Sequence, residues 1–288
     1  MALTSQLATT TLDESYLPDL MALSREAGWN QVENDWHLFL TQGRVFGVLD
    51  GDNAVGSAAI LPYGADFAWI GMVLVRGTHR KRGVGTRLLE RCLKELDRDG
   101  RAACLDATPA GEPLYRSLGF EGSLRLTRWQ GEAGGVTSDL PDSDFLPLSQ
   151  PEAFEAAVAL DAAALGAERR PLLSCFARRL PEAAWMTASG GTAHKGGAIL
   201  GRNGDLASQI GPLLAENEET AIALLDSALA RLSGRVFLDV VDARQQVVDH
   251  LQARGFTQQR PFLRMTRNAS RTIGDATRLH AIAGPEFG

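Results

Sequence analysis

Residues 70–89 read Ile70-Gly71-Met72-Val73-Leu74-Val75, then Arg76-Gly77-Thr78-His79-Arg80-Lys81-Arg82-Gly83-Val84-Gly85-Thr86-Arg87, then Leu88-Leu89. An apolar strand, a basic glycine loop and the start of a helix follow one another. That order builds a cradle for a polyphosphate. Gly83 and Gly85 carry no side chain, so the backbone N–H groups from Lys81 to Thr86 can lie bare against an anion. The helix that begins there adds its unpaired amides and its dipole. Five Lys/Arg residues fall from Arg76 to Arg87 in a chain of net charge −6. The positive charge is local, which points to a small anionic ligand.

The surroundings extend the pattern. Helical sequence around Ala27-Gly28-Trp29 precedes strands over 45–75, and a helix from about residue 85 to 99 leads to a strand at 102–106. Pro113-Leu114-Tyr115 and Leu118-Gly119-Phe120 come next. Arg80-Lys81-Arg82-Gly83-Val84-Gly85 resembles the Arg/Gln-x-x-Gly-x-Gly/Ala loop of the GCN5-related N-acetyltransferases, and Tyr115 with Gly119-Phe120 is similar to that family's Tyr-x-x-x-Gly-Phe. The resemblance covers about 130 residues. It implies acetyl-CoA as cosubstrate, with the pyrophosphate held by Arg80, Lys81, Arg82, Gly83, Val84, Gly85 and Thr86. It also implies that Val73, Leu74 and Val75 offer backbone N–H groups to the acyl-pantetheine arm, and that Tyr115 lies near the sulfur as acid. Lys81 stands where the family often has Gly, and Gly77 where many members have Pro. An ordinary φ is expected at Lys81.

The chain repeats itself. Ala59-Ile60-Leu61, Ile70-Gly71 and Leu74 recur as Ala198-Ile199-Leu200, Ile210-Gly211 and Leu214. Leu105-Asp106, Gly119-Phe120 and Leu126 to Arg128 return as Leu238-Asp239, Gly255-Phe256 and Met265 to Arg267. Matched order and spacing point to duplication of one αβ unit. The expected architecture is α/β: two tandem copies, each a mixed, mostly antiparallel sheet flanked by helices, residues 1–132 and 137–288. The boundary falls in the Gly, Asp, Ser and Pro of 131–141. Against the basic loop the second copy offers Ala215-Glu216-Asn217-Glu218-Glu219-Thr220, without glycine and with three carboxylates, and Leu251 answers Tyr115. That copy is expected not to hold acetyl-CoA the same way. Residues 278–283 read as a last edge strand.

Acetyl transfer to an amine needs a donor for the thioester oxygen, loss of the amine's proton and an acid for the thiolate. A tyrosine of ordinary pKa about 10 can be that acid at neutral pH, although Tyr115 also reads as a helix residue packed on the sheet. Asp66, Asp35 and Glu33 are base candidates that read equally as solvated carboxylates or caps. His37 and His79 lie nearby, and His79 suits anion holding. Trp29, Trp36 and Trp69 are expected to line the acceptor pocket or else to be core.

Other classes fit less well. Composition is globular, with 44% hydrophobic and 22% charged residues, and the acidic balance argues against nucleic acid. Three cysteines without Cys-x-x-Cys spacing indicate thiols, with no metal site. No run of about 18 apolar residues exists, so no membrane partner is expected. Met1-Ala2-Leu3-Thr4-Ser5-Gln6 lacks a signal-peptide pattern, and a cytoplasmic protein is expected. A dinucleotide fold would need a third glycine after Gly83 and Gly85, although Asp106 falls where a ribose-binding acid would sit. The sequence therefore reads as an N-acetyltransferase that moves an acetyl group directly to a primary amine, small or peptidyl. A non-catalytic acyl-CoA binding or sensor protein on the same fold is the alternative, and an oligomer is compatible with either.

Overall fold

A computed structural model describes residues 8–134, 144–188, 196–270 and 272–288. The chain folds into two compact units, Met1–Leu105 and Asp106–Gly288. The expected linker at 131–141 lies largely outside the described residues, as does the expected start of the second copy at 137.

In the first unit β1 (Thr9–Leu12), α1 (Leu17–Glu26), α2 (Glu33–Gln42), β2 (Arg44–Asp50), β3 (Asn53–Tyr63), β4 (Phe67–Val75) and α3 (Val84–Arg98) lead into β5 (Ala102–Ala107). The strands run in the order β1-β2-β3-β4-β5; β1 to β4 are antiparallel neighbours and β5 joins β4 in parallel. The alternating small and apolar text of β3 is buried from Ala54 to Leu61, as a strand covered on both faces requires. Leu88, Leu89, Cys92, Leu93 and Leu96 form the buried stripe of α3. That helix passes so close over β3 that a Cβ on Gly56 would stand 2.9 Å from Val84 and 3.1 Å from Leu88.

The second unit holds α4 (Glu112–Ser117), β6 (Glu121–Ala133), β7 (Phe145–Pro147), α5 (Pro151–Leu165), α6 (Arg170–Arg179), β8 (Trp185–Thr187), β9 (Gly197–Arg202), β10 (Ser208–Ala215), α7 (Glu218–Arg231), β11 (Gly234–Val241), α8 (Gln245–Ala253), β12 (Thr257–Arg267) and β13 (Leu279–Ala281). Its strand order is β12-β6-β11-β13-β10-β9-β8-β7. The repeat is visible in the ladders: Trp69 pairs with Cys104 as Gln209 pairs with Phe237. Gly197 repeats Gly56, since a Cβ there would press on Leu224 and Thr220 of α7.

Three details differ from the sequence alignment of the two copies. Leu74 pairs with Ser57 and Leu214 with Ala198, so Ser57, not Ala59, answers Ala198. A slip of two residues keeps the same face inward, so the apolar text cannot tell the two registers apart. The strand expected at an edge near 278–283 is instead β13, placed between β10 and β11. Third, the partner of Arg128 in the repeat is Arg264, not Arg267.

Two buried ion pairs establish that last match. Arg128 of β6 grips Asp239 of β11 through two bonds of 2.8 Å, and Arg264 of β12 grips Asp106 at the end of β5 through two of 3.0 Å. Gln209 adds a 2.9 Å bond to Asp239. Burial pushes the Asp106 carboxyl above the usual carboxylate range, and Arg264 opposes this. Replacing Arg264 by leucine leaves a buried carboxylate alone and is expected to cost about 3–5 kcal/mol of unfolding free energy. The pair Asp106→Leu with Arg264→Met is expected to recover most of it; urea denaturation of the three proteins checks this.

His280 of β13 is 1% exposed and stands with Nε2 3.2 Å from the Ala215 carbonyl oxygen. Burial, with the Arg244 guanidinium nearby, lowers its pKa to about 4. The neutral ring therefore donates that bond. An unfolded chain, with an ordinary pKa near 6.5, binds a proton that the folded chain refuses. Stability present above pH 6.5 is thus lost as pH falls toward 4, by on the order of 3 kcal/mol. Against His280→Gln, the advantage of the parent protein in urea unfolding is expected to shrink across that window.

Candidate functional site

One extra residue opens the sheet of the first unit. Ser57 pairs with Leu74 and Ala59 with Gly71, so Met72 and Val73 together face a single residue of β3. This is a β-bulge, and Met72 has the left-handed φ of 55°. The buried Ser57 hydroxyl donates to the Met72 carbonyl at 2.9 Å and fixes it. The ladder between β4 and β5 is formed by Phe67–Trp69 with Ala102–Cys104, before the bulge. Val73, Leu74 and Val75 continue past it, with Val73 and Val75 half-buried and Leu74 buried. Val75 already uses its carbonyl, which accepts from Arg80 Nε at 3.1 Å.

The loop after β4 turns once at Gly77–His79 and enters α3 through Gly83, whose φ is +77°. No side chain caps α3, and its first turn closes with Arg87 N–H on the Gly83 carbonyl at 3.1 Å. The amides of Gly83, Val84, Gly85 and Thr86 precede that first bond and have no acceptor within the helix. A Cβ on Gly83 would meet nothing within 4 Å, so the space before these amides is open; on Gly85 it would only touch Val75 at 3.7 Å. The loop is thus a cradle that the backbone leaves bare.

Its charges divide by partner. Arg76 leans on Asp19 at 3.6 Å, and His79 Nε2 sits 3.2 Å from Asp50. His79 is therefore engaged with a carboxylate and not turned to an anion. Lys81 and Arg82 are exposed and have no acidic partner among the described residues. Lys81 departs from expectation: its φ is 60°, the left-handed region, at a cost of order 1 kcal/mol for a side-chain-bearing residue. The turn geometry rewards glycine there, and lysine adds charge despite the strain.

The matching place in the second unit is not a recharged loop but a missing one. Val75 ends β4 and α3 begins at Val84; Ala215 ends β10 and α7 begins at Glu218, leaving only Glu216 and Asn217 between. Ala215 thus answers Val75, not Arg80, and the eight residues 76–83 stand against only Glu216 and Asn217. Asn217 caps α7 by accepting from Thr220 N–H at 2.8 Å, and Glu218 accepts from Gln246 and Val247. One amide of this helix start is thus taken by the cap, and Glu216, Glu218 and Glu219 beside it disfavour an outside anion.

Tyr115 belongs to α4 in the second unit and is half-buried. Its ring meets Phe120 edge-on at 5.9 Å, and a Cβ on Gly111 would stand 2.8 Å from it. Leu251 repeats the position: Phe120 N–H bonds the Tyr115 carbonyl and Phe256 N–H bonds that of Leu251, at 3.1 and 2.9 Å. Leu251 is fully buried, without a polar group to offer.

The acceptor candidates scatter. Trp36 and Trp69 are 0% and 1% exposed, and Trp36 Nε1 donates to Ser24 Oγ at 3.1 Å. Both rings are core, which corrects the expectation that they line a pocket; Trp29 remains half-buried. Asp35 is buried and caps α2 by accepting from Val32 N–H at 2.9 Å, so it is structural. His37 stands 3.4 Å from Glu14, Glu33 is exposed at the start of α2, and Asp66 is exposed before β4. Among the described residues no group of His, Cys, Asp and Glu is arranged to hold a metal ion. Sequence reasoning missed the Ser57–Met72 bond and the paired arginines. The repeated Asp106/Asp239 and Arg128/Arg264 were the available signal for the latter.

Comparison with known proteins gives the family. The profile of an acetyltransferase (GNAT) domain matches residues 157–281, and a second GNAT-domain profile matches residues 41–122. The uncharacterized N-acetyltransferase YitH of Bacillus subtilis is 24% identical over 246 residues, covering 85% of this chain and 86% of that protein. The holothin acyltransferase of a Pseudoalteromonas species is 25% identical over 246 residues, covering 82% and 79%. A putative acetyltransferase of Pyrococcus horikoshii shares the fold at TM-score 0.81 and 20% identity, over 100% of this chain and 98% of its own. A tandem GNAT protein from the clavulanic acid biosynthesis pathway does so at TM-score 0.61 and 18% identity, over 92% and 99%. Matched twice along its length, the chain belongs to the GCN5-related N-acetyltransferases and is a tandem acyltransferase of that family.

Proposed function

We propose that the chain transfers an acetyl group from acetyl-CoA to a primary amine, with one cofactor site, in the first copy (residues 1–132). The observation that carries this is the contrast between two helix starts. Gly83 opens α3 with bare amides beside the exposed cations Lys81 and Arg82, whereas Asn217 caps α7 beside Glu216, Glu218 and Glu219. The residues of the first cradle fit a pyrophosphate: neutral donors in front, cations at the rim, and room that a Cβ would intrude upon.

Bound acetyl-CoA supplies an activated thioester. At the bulge and past it, the amides of Val73 and Val75, on the edge away from β3, orient the acyl arm beside Leu74, and one of them can receive the charge that builds on its carbonyl oxygen. Tyr115 Oη is the acid for the leaving sulfur. An alkylamine of ordinary pKa must lose a proton at a cost of roughly 4–5 kcal/mol at pH 7. Half-buried Trp29 suits the acceptor side. A covalent route through cysteine has no support: Cys92 and Cys104 are buried, and burial pushes the Cys92 thiol up. Among the described residues no helix is long and apolar enough to cross a membrane, and the free thiols suit a cytoplasmic setting.

Calorimetry of acetyl-CoA with the intact chain is expected to give one site, with affinity falling at least about 100-fold in Gly83→Glu, which sets a carboxylate before the amides. Two sites, or none, overturn the reading of one working copy. With an amine acceptor in hand, Tyr115→Phe is expected to lower kcat by about 10- to 100-fold while the KM for acetyl-CoA stays within about twofold. An unchanged kcat removes Tyr115 from the chemistry, and binding without turnover on any amine favours the acyl-CoA sensor instead.

A further inference from the structure

The second unit has the same opening between its central strands, and it is filled. β10 and β11 pair in parallel over Ser208–Ile210 and Val236–Leu238. A bulge then opens them: Ile210 pairs with Gly201 and Leu213 with Ile199, leaving Gly211 and Pro212 against one residue. Into the gap runs β13, antiparallel to both lips. Leu213 pairs with Ala281, Leu214 with Leu279 and Val240 with Ala281, and Ile282 N–H donates to the Asp239 carbonyl at 3.0 Å. Leu213 and Leu214 answer Val73 and Leu74, so the strand lies on the backbone positions assigned to the acyl arm in the first copy. The fit is tight on the β10 side, where a Cβ on Gly211 would collide with the Ile282 carbonyl oxygen.

The residues after β13 are held by side chains suited to a specific peptide. Glu286 pairs with Arg202, a buried cation on β9. The Arg202 guanidinium lies 5.3 Å from the Phe287 ring centre and 5.6 Å from that of Phe176, and the two rings meet edge-on at 5.6 Å. Arg169, fixed by two 2.8 Å bonds to Asp161, donates to the carbonyl oxygens of Phe287 at 2.9 Å and Gly288 at 2.6 Å. Ala281, Ile282, Ala283 and Phe287 have no exposed surface. Strand pairing on two edges supplies affinity, and the Arg202 and Phe176 pocket reads an acidic residue followed by an aromatic one.

We propose that the cleft between β10 and β11 is a peptide-strand site, occupied in cis by Leu279–Gly288 in the place that takes the acyl arm in the first copy. Its ligand class is an extended peptide that ends its strand in a small residue and carries Glu-Phe five residues after Ala281. The comparison with the acyl arm rests on the function proposed above; the strand site itself does not.

The test keeps the whole chain through folding. A protease recognition sequence is inserted between Asn268 and Ala269, which are exposed, and cut after purification. The fragment 269–288 is expected to stay with the protein through size-exclusion chromatography and to exchange, one per chain, with a labelled synthetic copy. A copy carrying both Glu286→Ala and Phe287→Ala is expected to bind about 100-fold more weakly. A fragment that elutes apart, or a doubly substituted copy that binds as well as the natural one, overturns the proposal. A second readout needs no insertion: in the unmodified chain Phe287→Ala is expected to speed amide exchange at Ile282 about tenfold, with exchange in α3 unchanged. Equal exchange at Ile282 overturns it as well. Acetyl-CoA enters neither readout, so failure here leaves the first copy's site standing, and calorimetry tests that site separately.

Discussion

A parallel pair of strands in a sheet stays paired unless something forces it open, and here one extra residue does so. In β4 the bulge at Met72 and Val73 turns the strand after Trp69, and the hydroxyl of Ser57 holds the strained carbonyl in place. In β10 the bulge comes one residue earlier, at Gly211 and Pro212. Everything that distinguishes the two copies is built on the group that then enters the opening. A strand edge that is neither paired nor covered leaves its N–H and C=O groups to water or to an occupant. In the second unit the chain itself provides one. In the first, the N–H groups of Val73 and Val75, on the edge away from β3, are the donors proposed to meet a ligand.

The connection after the bulged strand decides which occupant is suited. A cradle for phosphate requires the helix to start on glycine, with the preceding loop long enough to bring cations round to the amides. Residues 76–83 provide that length, and they impose left-handed φ on both Lys81 and Gly83. A connection of only Glu216 and Asn217 lacks that length, and the asparagine cap takes up one amide of the helix start. With Glu216, Glu218 and Glu219 around that start, a ligand's phosphates meet like charge there. The opening between β10 and β11 is then more favourably filled by a strand whose backbone satisfies both lips.

Much of this was readable from sequence because the signals were local. Phe67 to Val75, the basic loop and the stripe of α3 are contiguous text, and Gly83 marks one positive φ, although Met72 and Lys81 share that conformation with no glycine to mark it. Leu251 was placed correctly because Gly119-Phe120 and Gly255-Phe256 fix the same turn after each helix. The features that were misread depend on non-local packing. A two-residue slip in β3 against β9 changes no inward-facing property. The deleted loop was hidden because carboxylates aligned with cations looked like substitution rather than loss. Trp36 and Trp69 are aromatic wherever they sit, and only the packed structure reveals that no edge of either ring is open. The three residues of β13 carry no mark of being inserted rather than at an edge.

The paired arginines show why the second copy is more than an appendage. Asp106 closes β5, a strand of the first repeat, yet its charge is matched by Arg264 from β12 of the second repeat. Arg128 of the first repeat in turn matches Asp239 of the second. Each copy thus supplies the cation that the other's buried carboxylate requires, and a carboxylate buried without its partner is strongly destabilising. β6 lies between β12 and β11, so the last strand of the first repeat is itself flanked by strands of the second. Tyr115 is carried by the short helix α4 between Asp106 and β6, two elements that both depend on these exchanges. The second copy is therefore tied to the proposed acid whatever its own helix start can hold, because Arg264, β11 and β12 hold the segment that carries Tyr115.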